Sequence, residues 1–217
     1  MALIVYSGGL DSTVLLHLLK SKNEATEALI VDYGQKHKKE IDFAIKNCQN
    51  LNVPYNVADL STITHLFGNS SLTNKNEEIP TGNYNDSNMK STVVPNRNMI
   101  MISVATARAI AIGTNVVAYA AHSGDHAIYP DCRNEFTNAL DSVLRVCHYD
   151  EITLYRPFID LNKSQIVKLG AELGVDFKQT WSCYKGEDLH CGKCGTCMER
   201  RQAFQEANIP DPTIYQQ

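Results

Sequence analysis

The sequence predicts an α/β fold: a doubly wound, five-stranded parallel sheet with a C-terminal helical appendage. Three observations carry that expectation. Short apolar runs alternate with segments of helical period along most of the chain. A Ser-Gly-Gly turn separates the first apolar run from the first helical segment. Four cysteines crowd together at 183, 191, 194 and 197, beyond the last apolar run. Strands separated by helices point to parallel neighbours, because parallel pairs need crossover connections.

The elements follow in order. Ala2–Tyr6 is a short apolar run that reads as a buried strand. Asp11–Lys20 places Val14, Leu15, Leu18 and Leu19 on one helical stripe. Ala28–Val31 is the second strand, and Lys36–Asn50 is an amphipathic helix with Ile41, Ala44, Ile45 and Cys48 along one face. Tyr55–Val57 is the third strand, with a short helix near Thr62–Phe67. From Gly68 to Asn96 the chain is rich in Asn, Ser and Thr without sustained period; a loop this long in a compact domain is a functional cover or a disordered segment. Arg97–Ile112 is a mostly apolar helix, and Val116–Ala121 the fourth strand. Asp131–Val146 has helical spacing, Ile152–Tyr155 is the fifth strand, and Lys163–Leu173 is a helix ended by Gly174. The last helix runs from about Thr196 to Ala207, with Asn208 suited to a left-handed C′ cap and Pro210 unable to continue. The expected division is an α/β domain over 1–178 with a segment over 179–217 packed on it.

Composition narrows the function. With 217 residues, 43% of them hydrophobic, the chain can bury one substantial core. The net charge of −4 and the lack of a basic stripe argue against direct binding of a long nucleic acid. No basic n-region and no apolar stretch of membrane-spanning length is present, so a cytoplasmic protein without membrane contact is expected. In a reducing compartment the seven cysteines are poor disulfide candidates. Cys48, Cys132 and Cys147 are isolated and read as small buried apolar residues.

Ser7-Gly8-Gly9-Leu10-Asp11-Ser12 follows a strand and opens a helix. Two glycines let the backbone approach a ligand, and the helix start offers unpaired N–H groups and a positive dipole end. Ser7, Ser12 and Thr13 add hydroxyls. Asp11 is out of place in an anion site; it either caps the helix or holds a Mg²⁺ that bridges phosphate oxygens. Neither the Walker loop nor the dinucleotide fingerprint is present. The loop resembles instead the pyrophosphate-binding S-G-G-x-D-S loop of the N-type ATP pyrophosphatases (PP-loop proteins). Ligands of such sheets bind outside the carboxyl ends of the strands. Asp32 and Gly34 past strand two, and His122, Ser123, Gly124 and Asp125 past strand four, should border that crevice. The run Lys36-His37-Lys38-Lys39 is either near phosphate or a solvated helix start.

Cys183, Cys191, Cys194 and Cys197 supply four soft ligands, which suit a closed tetrahedral zinc site. The same spacing occurs around 4Fe–4S clusters. Gly192 and Gly195 ease the turns between them.

Further segments join the two motifs: Tyr6–Thr13, Asp32–His37, Val93–Asn98, Tyr129–Phe136, Thr180–Tyr184, Cys191–Cys197 and Asp211–Thr213. In this order, over nearly the whole chain, they resemble the 7-cyano-7-deazaguanine synthases of queuosine biosynthesis. Three positions depart from the family's pattern: Leu10 where Gln is common, and Asn96 and Asn208 where Gly is common. Asn is among the few residues other than Gly that tolerate positive φ.

The resemblance implies an adenine nucleotide alpha hydrolase-like fold and a ligase forming C–N bonds. Its substrates are 7-carboxy-7-deazaguanine, ammonia and ATP with Mg²⁺, and its product is the nitrile. One structural Zn²⁺ per chain and a homodimer are also implied. Tyr6, Ser7, Gly8, Gly9, Leu10, Asp11, Ser12, Thr13 and Asp32 are the expected ATP contacts. Asp11 and Arg97 are the expected catalytic groups, Asp11 through Mg²⁺ and Arg97 by steadying phosphate or carboxylate charge. Asp125, Asp131 and Arg133 are candidates for the deazapurine, with a helix cap as the other reading of Asp131. Another PP-loop enzyme such as a tRNA thiolase, and a non-catalytic zinc-ribbon adaptor, are the rival readings.

Overall fold

The computed structural model describes residues 1–83, 87–185 and 188–216. Its centre is a five-stranded sheet in the order β3-β2-β1-β4-β5. The strands are β1 (Ala2–Val5), β2 (Ala25–Asp32), β3 (Tyr55–Asp59), β4 (Val116–Ala118) and β5 (Thr153–Tyr155). Each neighbouring pair is parallel. The chain winds outward from β1 through β2 to β3, then returns to the other side of β1 for β4 and β5, so the switch point lies between β1 and β4.

Strand alternation fills two cores. Leu3, Val5, Leu29 and Val31 face Ile102, Ala105 and Ala109 of α3 (Arg97–Ala111) and Leu140 and Leu144 of α4 (Asn134–Arg145). Ala2, Ile4, Ala28 and Ile30 face the opposite layer. That layer comprises α1 (Leu10–Ser21), α2 (Lys39–Asn50), α5 (Lys163–Glu172) and α6 (Gly195–Ala207). Because β1 is buried on both faces, its sequence is a continuous apolar run rather than an alternating one.

Several boundaries differ from the sequence reading, each for a visible reason. α2 starts at Lys39 instead of Lys36, because the Lys36 amide bonds the Leu72 carbonyl and Gln35 folds back on Tyr33 and Val31. β4 ends at Ala118 rather than Ala121, since β1 has already ended and the next residues line a cleft. α4 starts at Asn134 rather than Asp131; Pro130–Cys132 form a separate 3₁₀ turn, and the Asp131 carboxylate is directed at α3. Cys48 and Cys132 are buried as expected, but Cys147 is exposed in the turn after α4, where the apolar stripe has ended. Asn96 and Asn208 both adopt the left-handed conformation, at φ 59 and 57, as their place at glycine positions anticipates.

The segment 68–96 is a cover over one core face. Leu72, Ile79, Met89 and Val94 are buried beneath it, and it contains a 3₁₀ turn, Ser87–Thr92. Thr81 bridges Cys194, and the Gly82 amide bonds the Lys193 carbonyl, which fastens the cover to the cysteine segment. Its residues 84–86 lie outside the described residues.

Gly170 of α5 sets how closely α5 packs. A Cβ there would lie 2.6 Å from the Phe177 ring and 2.7 Å from a Val14 methyl. Gly170→Ala gains helix propensity, but the overpacking costs about 1–3 kcal/mol and outweighs it. The expected outcome is a Tm several degrees lower; an unchanged or higher Tm shows that α1 and α5 can separate freely.

Candidate functional site

The loop after β1 packs tightly before it opens. The Tyr6 amide bonds the Leu29 carbonyl, and the chain then turns through Gly8 at φ +75. A Cβ on Gly8 would lie 2.5 Å from the Glu40 carbonyl oxygen and 2.7 Å from the Ala44 amide nitrogen, so only glycine lets the loop sit against α2. The loop hydroxyls tie it internally. Ser7 Oγ and Ser12 Oγ are 3.0 Å apart, the Gly9 amide donates to Ser7 Oγ at 3.2 Å, and Thr13 Oγ1 donates to the Gly9 carbonyl at 2.7 Å. Tyr6 OH meets Thr13 Oγ1 and receives Asn47 Nδ2 beneath the loop. Gly9 begins α1 with no side-chain cap, so the helix-start dipole is uncovered at the cleft.

Tyr6, Ser7, Gly9, Leu10, Asp11 and Ser12 line one cleft at the carboxyl edge of the sheet; Gly8 and Thr13 lie just behind it. Arg97 and Asp125 line the same cleft. Asp32 does not. Its Oδ1 accepts from the Gly34 amide at 3.0 Å and its Oδ2 pairs with Lys38 at 2.5 Å, which makes it a turn residue behind the lining. Asp131 and Arg133 line a separate shallow depression. Asp131 Oδ2 accepts from the Asn98 amide, so it caps α3 rather than its own helix, and Arg133 Nε donates to the His126 carbonyl. Of the basic run, Lys38 is held by Asp32, Lys36 reaches the Glu77 carbonyl, and Lys39 stacks over Trp181.

One wall is a charge cluster that the sequence reading missed. Asp11 does not cap its helix; Oδ2 lies 3.3 Å from Lys163 Nζ and 3.7 Å from His122 Nε2. Lys163 also meets Glu199 Oε2 of α6 at 2.6 Å, and His122 Nε2 lies 3.6 Å from Asp125. His122 Nδ1 accepts from the Gly124 amide, which leaves Nε2 as the N–H facing both carboxylates. Burial raises the Asp11 pKa, but Lys163 and His122 outweigh it and hold the carboxyl below its ordinary range. Burial opposes the charge on Lys163 too, yet Asp11, Glu199 and Asp125 keep the ammonium firmly protonated. Asp11 Oδ1 is buried with no hydrogen-bond partner among the described residues, which fits an oxygen donor awaiting a cation. A lysine at the first position of α5 works against the helix dipole, and that was its one sequence signal.

Another part of the lining is aromatic. Arg97 stands at the first position of α3, its guanidinium 5.4 Å from the Tyr33 ring centre and 5.9 Å from that of Tyr129. Its Nη1 donates to Tyr33 OH at 3.4 Å, and its Nε is buried without a partner among the described residues. Tyr129 OH meets Thr92 Oγ1 at 2.7 Å and Tyr184 OH at 3.1 Å. Burial lifts the Tyr33 pKa to about 12, so it remains a neutral hydroxyl. Glu40 and Trp181 complete this side.

Beside the cleft, the sulfur atoms of Cys183, Cys191, Cys194 and Cys197 are buried and lie within 4.8 Å of one another. The Cys191 amide points at Cys183 Sγ, and the Lys193 and Cys194 amides point at Cys191 Sγ. Convergent sulfurs with N–H groups aimed at them fit a thiolate-bound metal; at about 2.3 Å per Zn–S bond, tetrahedral sulfurs sit about 3.8 Å apart. His190 is not part of this set, since its Nε2 accepts from the Ser182 amide and its ring packs on Trp181.

A parallel sheet with an uncapped helix-start loop at its switch point, facing an acidic and lysine-bearing wall, defines a PP-loop-type nucleotide-binding α/β protein. The family model described as "Queuosine biosynthesis protein QueC" matches residues 1–208, and the chain belongs to that family. It is 47% identical over 215 residues to the 7-cyano-7-deazaguanine synthase of Methanoregula boonei, covering 99% of both chains. It is 45% identical over 213 residues to that of Marinobacter nauticus, covering 98% of this chain and 96% of the relative. Among solved structures it is similar to the U34-tRNA thiolase NcsA of Methanococcus maripaludis with its [4Fe-4S] cluster, at TM-score 0.51 and 14% identity over 81% of this chain and 57% of that one. It is also similar to an NH3-dependent NAD synthetase of Campylobacter jejuni, at TM-score 0.50 and 17% identity over 95% and 74%. These distant likenesses show the fold.

Lys163→Met should leave Asp11 and Glu199 buried without their cation and cost about 3–5 kcal/mol. Asp11 has a depressed folded pKa, so its contribution is present above its ordinary value of 3.8 and is lost as pH falls through the folded value. Urea unfolding should therefore show the variant's deficit at pH 7 and a smaller deficit in acid. A deficit independent of pH would show that the lysine acts by packing alone.

Proposed function

We propose that this chain is an ATP-dependent ligase that converts 7-carboxy-7-deazaguanine and ammonia to 7-cyano-7-deazaguanine, for queuosine synthesis. The observation that carries the reading is one cleft whose lining holds both the phosphate loop with its lysine-carboxylate cluster and a group of tyrosines around Arg97. Whole-length membership of the family supports it.

On this reading the loop from Tyr6 to Thr13 receives the triphosphate through backbone N–H groups and hydroxyls. Asp11 would hold Mg²⁺, which supplies charge neutralisation between phosphate oxygens. The tyrosine rings offer flat faces to the deazapurine, and the Arg97 fork meets its carboxylate. Asp125, on the lining beside His122, is placed to meet a substrate N–H. Asp131 and Arg133 line another depression, and their side chains are spent on the Asn98 amide and the His126 carbonyl, which favours structural support over substrate contact. A carboxylate oxygen is a poor leaving group, and transfer of AMP to it corrects that; a loop suited to departing pyrophosphate favours AMP over ADP as product. The aromatic wall and Arg97 also exclude water from the activated acid.

The cysteine set would hold one structural Zn²⁺, locking the 179–217 segment onto the 1–178 domain. No described helix is long and apolar enough to cross a membrane; a cytoplasmic location is part of the proposal. A homodimer without direct nucleic-acid contact completes the proposal.

Protein supplied with the deazaguanine acid, ATP, Mg²⁺ and ammonium should release the nitrile, AMP and pyrophosphate, read by mass spectrometry. No nitrile and no acid-dependent nucleotide turnover would sink the reading. Elemental analysis should find one zinc per chain, and Cys194→Ser should lose the metal and melt at lower temperature. An iron-containing brown protein would overturn the zinc assignment.

A further inference from the structure

Forming a nitrile from a carboxylate and ammonia requires protons to leave nitrogen more than once, and of the groups placed so far only Asp125, which lies beside His122 and is assigned above to a substrate N–H, could accept them. Lys163 is a cation held by two carboxylates, Asp11 faces that cation, and Arg97 cannot accept a proton. Glu40 is a carboxylate on the lining that makes no ion pair among the described residues.

Its position is fixed from three sides. Glu40 lies in the first turn of α2; its backbone carbonyl sits against the back of Gly8, and its carboxyl side chain is on the cleft lining near Arg97. Gln35 Nε2 donates to Glu40 Oε1 at 3.0 Å. Gln35 is itself pinned, because its Oε1 accepts from the Tyr33 amide at 2.9 Å. The charged and titratable groups that face Glu40 are Arg97 from α3, Tyr33 after β2 and Asp32 at the end of β2. Burial raises its pKa most, Arg97 and Gln35 pull it back, Asp32 adds to the rise, and the result is about 7. A carboxyl that titrates near working pH is suited to general base catalysis.

We propose that Glu40 is the general base that takes protons from the reacting nitrogen. The assignment rests on the ligase reading above. In amide formation, the ammonia nitrogen bonds to the acyl carbon, the bond from that carbon to the AMP oxygen breaks, and one nitrogen proton passes to Glu40. In nitrile formation, the amide oxygen attacks the α-phosphorus of a second ATP, pyrophosphate leaves, and one N–H proton is lost. The C–O bond then breaks, AMP departs with the oxygen, and the last N–H proton leaves as the triple bond closes. Glu40 returns each proton to solvent between steps. Gln35 is a positioning residue that holds the acceptor oxygen and lowers its proton affinity.

The experiment separates activation from proton removal. Glu40→Gln should retain acid-dependent pyrophosphate exchange into ATP, while amide and nitrile formation fall by about 10²–10⁴-fold. The wild-type rate should decline as pH drops below about 7, where Glu40 is protonated, and the variant should lose that acidic limb. Glu40→Asp should recover part of the rate with the limb restored. Gln35→Met removes a donor to the carboxylate and should move the limb to higher pH. Unchanged amide formation in Glu40→Gln overturns the assignment, as does an equal fall in exchange and amide formation by a variant that melts like wild type. Should Glu40→Gln fail to fold, the limb in Gln35→Met decides: displacement supports the base, and no displacement overturns it. Wild-type protein lacking acid-dependent exchange would overturn the ligase reading, and this assignment with it.

Discussion

The Lys163 ammonium lies between a carboxylate of the phosphate-loop helix and a carboxylate of the last helix, at 3.3 Å from Asp11 and 2.6 Å from Glu199. Three elements meet there: α1, which carries the loop; α5, which carries the lysine; and α6, which carries the last of the four cysteines. Buried charges of this kind are stable only when fully paired. The pairing therefore fixes the loop relative to the cysteine segment. It also keeps Asp11 ionised at the cleft, where an anionic oxygen can receive a cation. A second tie runs along the backbone, from the Trp181 amide to the Gly8 carbonyl, and a third is the Arg200 guanidinium, buried against Thr180, Ser182 and Phe177.

Seen from the cleft, the cysteine segment is part of its wall. Trp181, Ser182, Tyr184 and Thr196 all contribute to the lining. The long cover over 68–96 reaches the same place from the other side, through Thr92 at Tyr129 and Thr81 at Cys194. A metal held by the four cysteines next to the cleft would have a mechanical meaning. It would stiffen the segment that carries Trp181, Ser182 and Tyr184. It would also give the tyrosines a rigid backing, which recognition of a flat ring requires.

The phosphate loop was legible because its demands are local: a strand, two glycines and a helix start lie within a dozen residues. The clustering of the four cysteines was legible for the same reason, since their close spacing brings the sulfurs together. Asn96 and Asn208 could be read as left-handed positions because backbone sterics admit few residues there. Asp32, Asp131 and Arg133 were less tractable. Their place just past strands or at helix starts suggested the crevice, but a carboxylate at such a place is equally a backbone acceptor, and Asp32 and Asp131 are used that way. Lys163 and Glu40 carried almost no signal, because each gains its meaning from groups brought to it by the fold.

By itself the sequence determined the sheet, its winding, the glycine loop, the cysteine cluster and the family, all of which depend on residue type and short-range spacing. The tertiary structure decided which charges share the cleft. It set Lys163 between α1 and α6, closed the tyrosines around Arg97, placed Glu40 beside them and turned Asp131 to cap α3. The physical reason is that an ion pair or an aromatic contact is fixed by distance in space, and residues such as Asp11 and Lys163, far apart along the chain, meet only when the helices that bear them pack on one sheet.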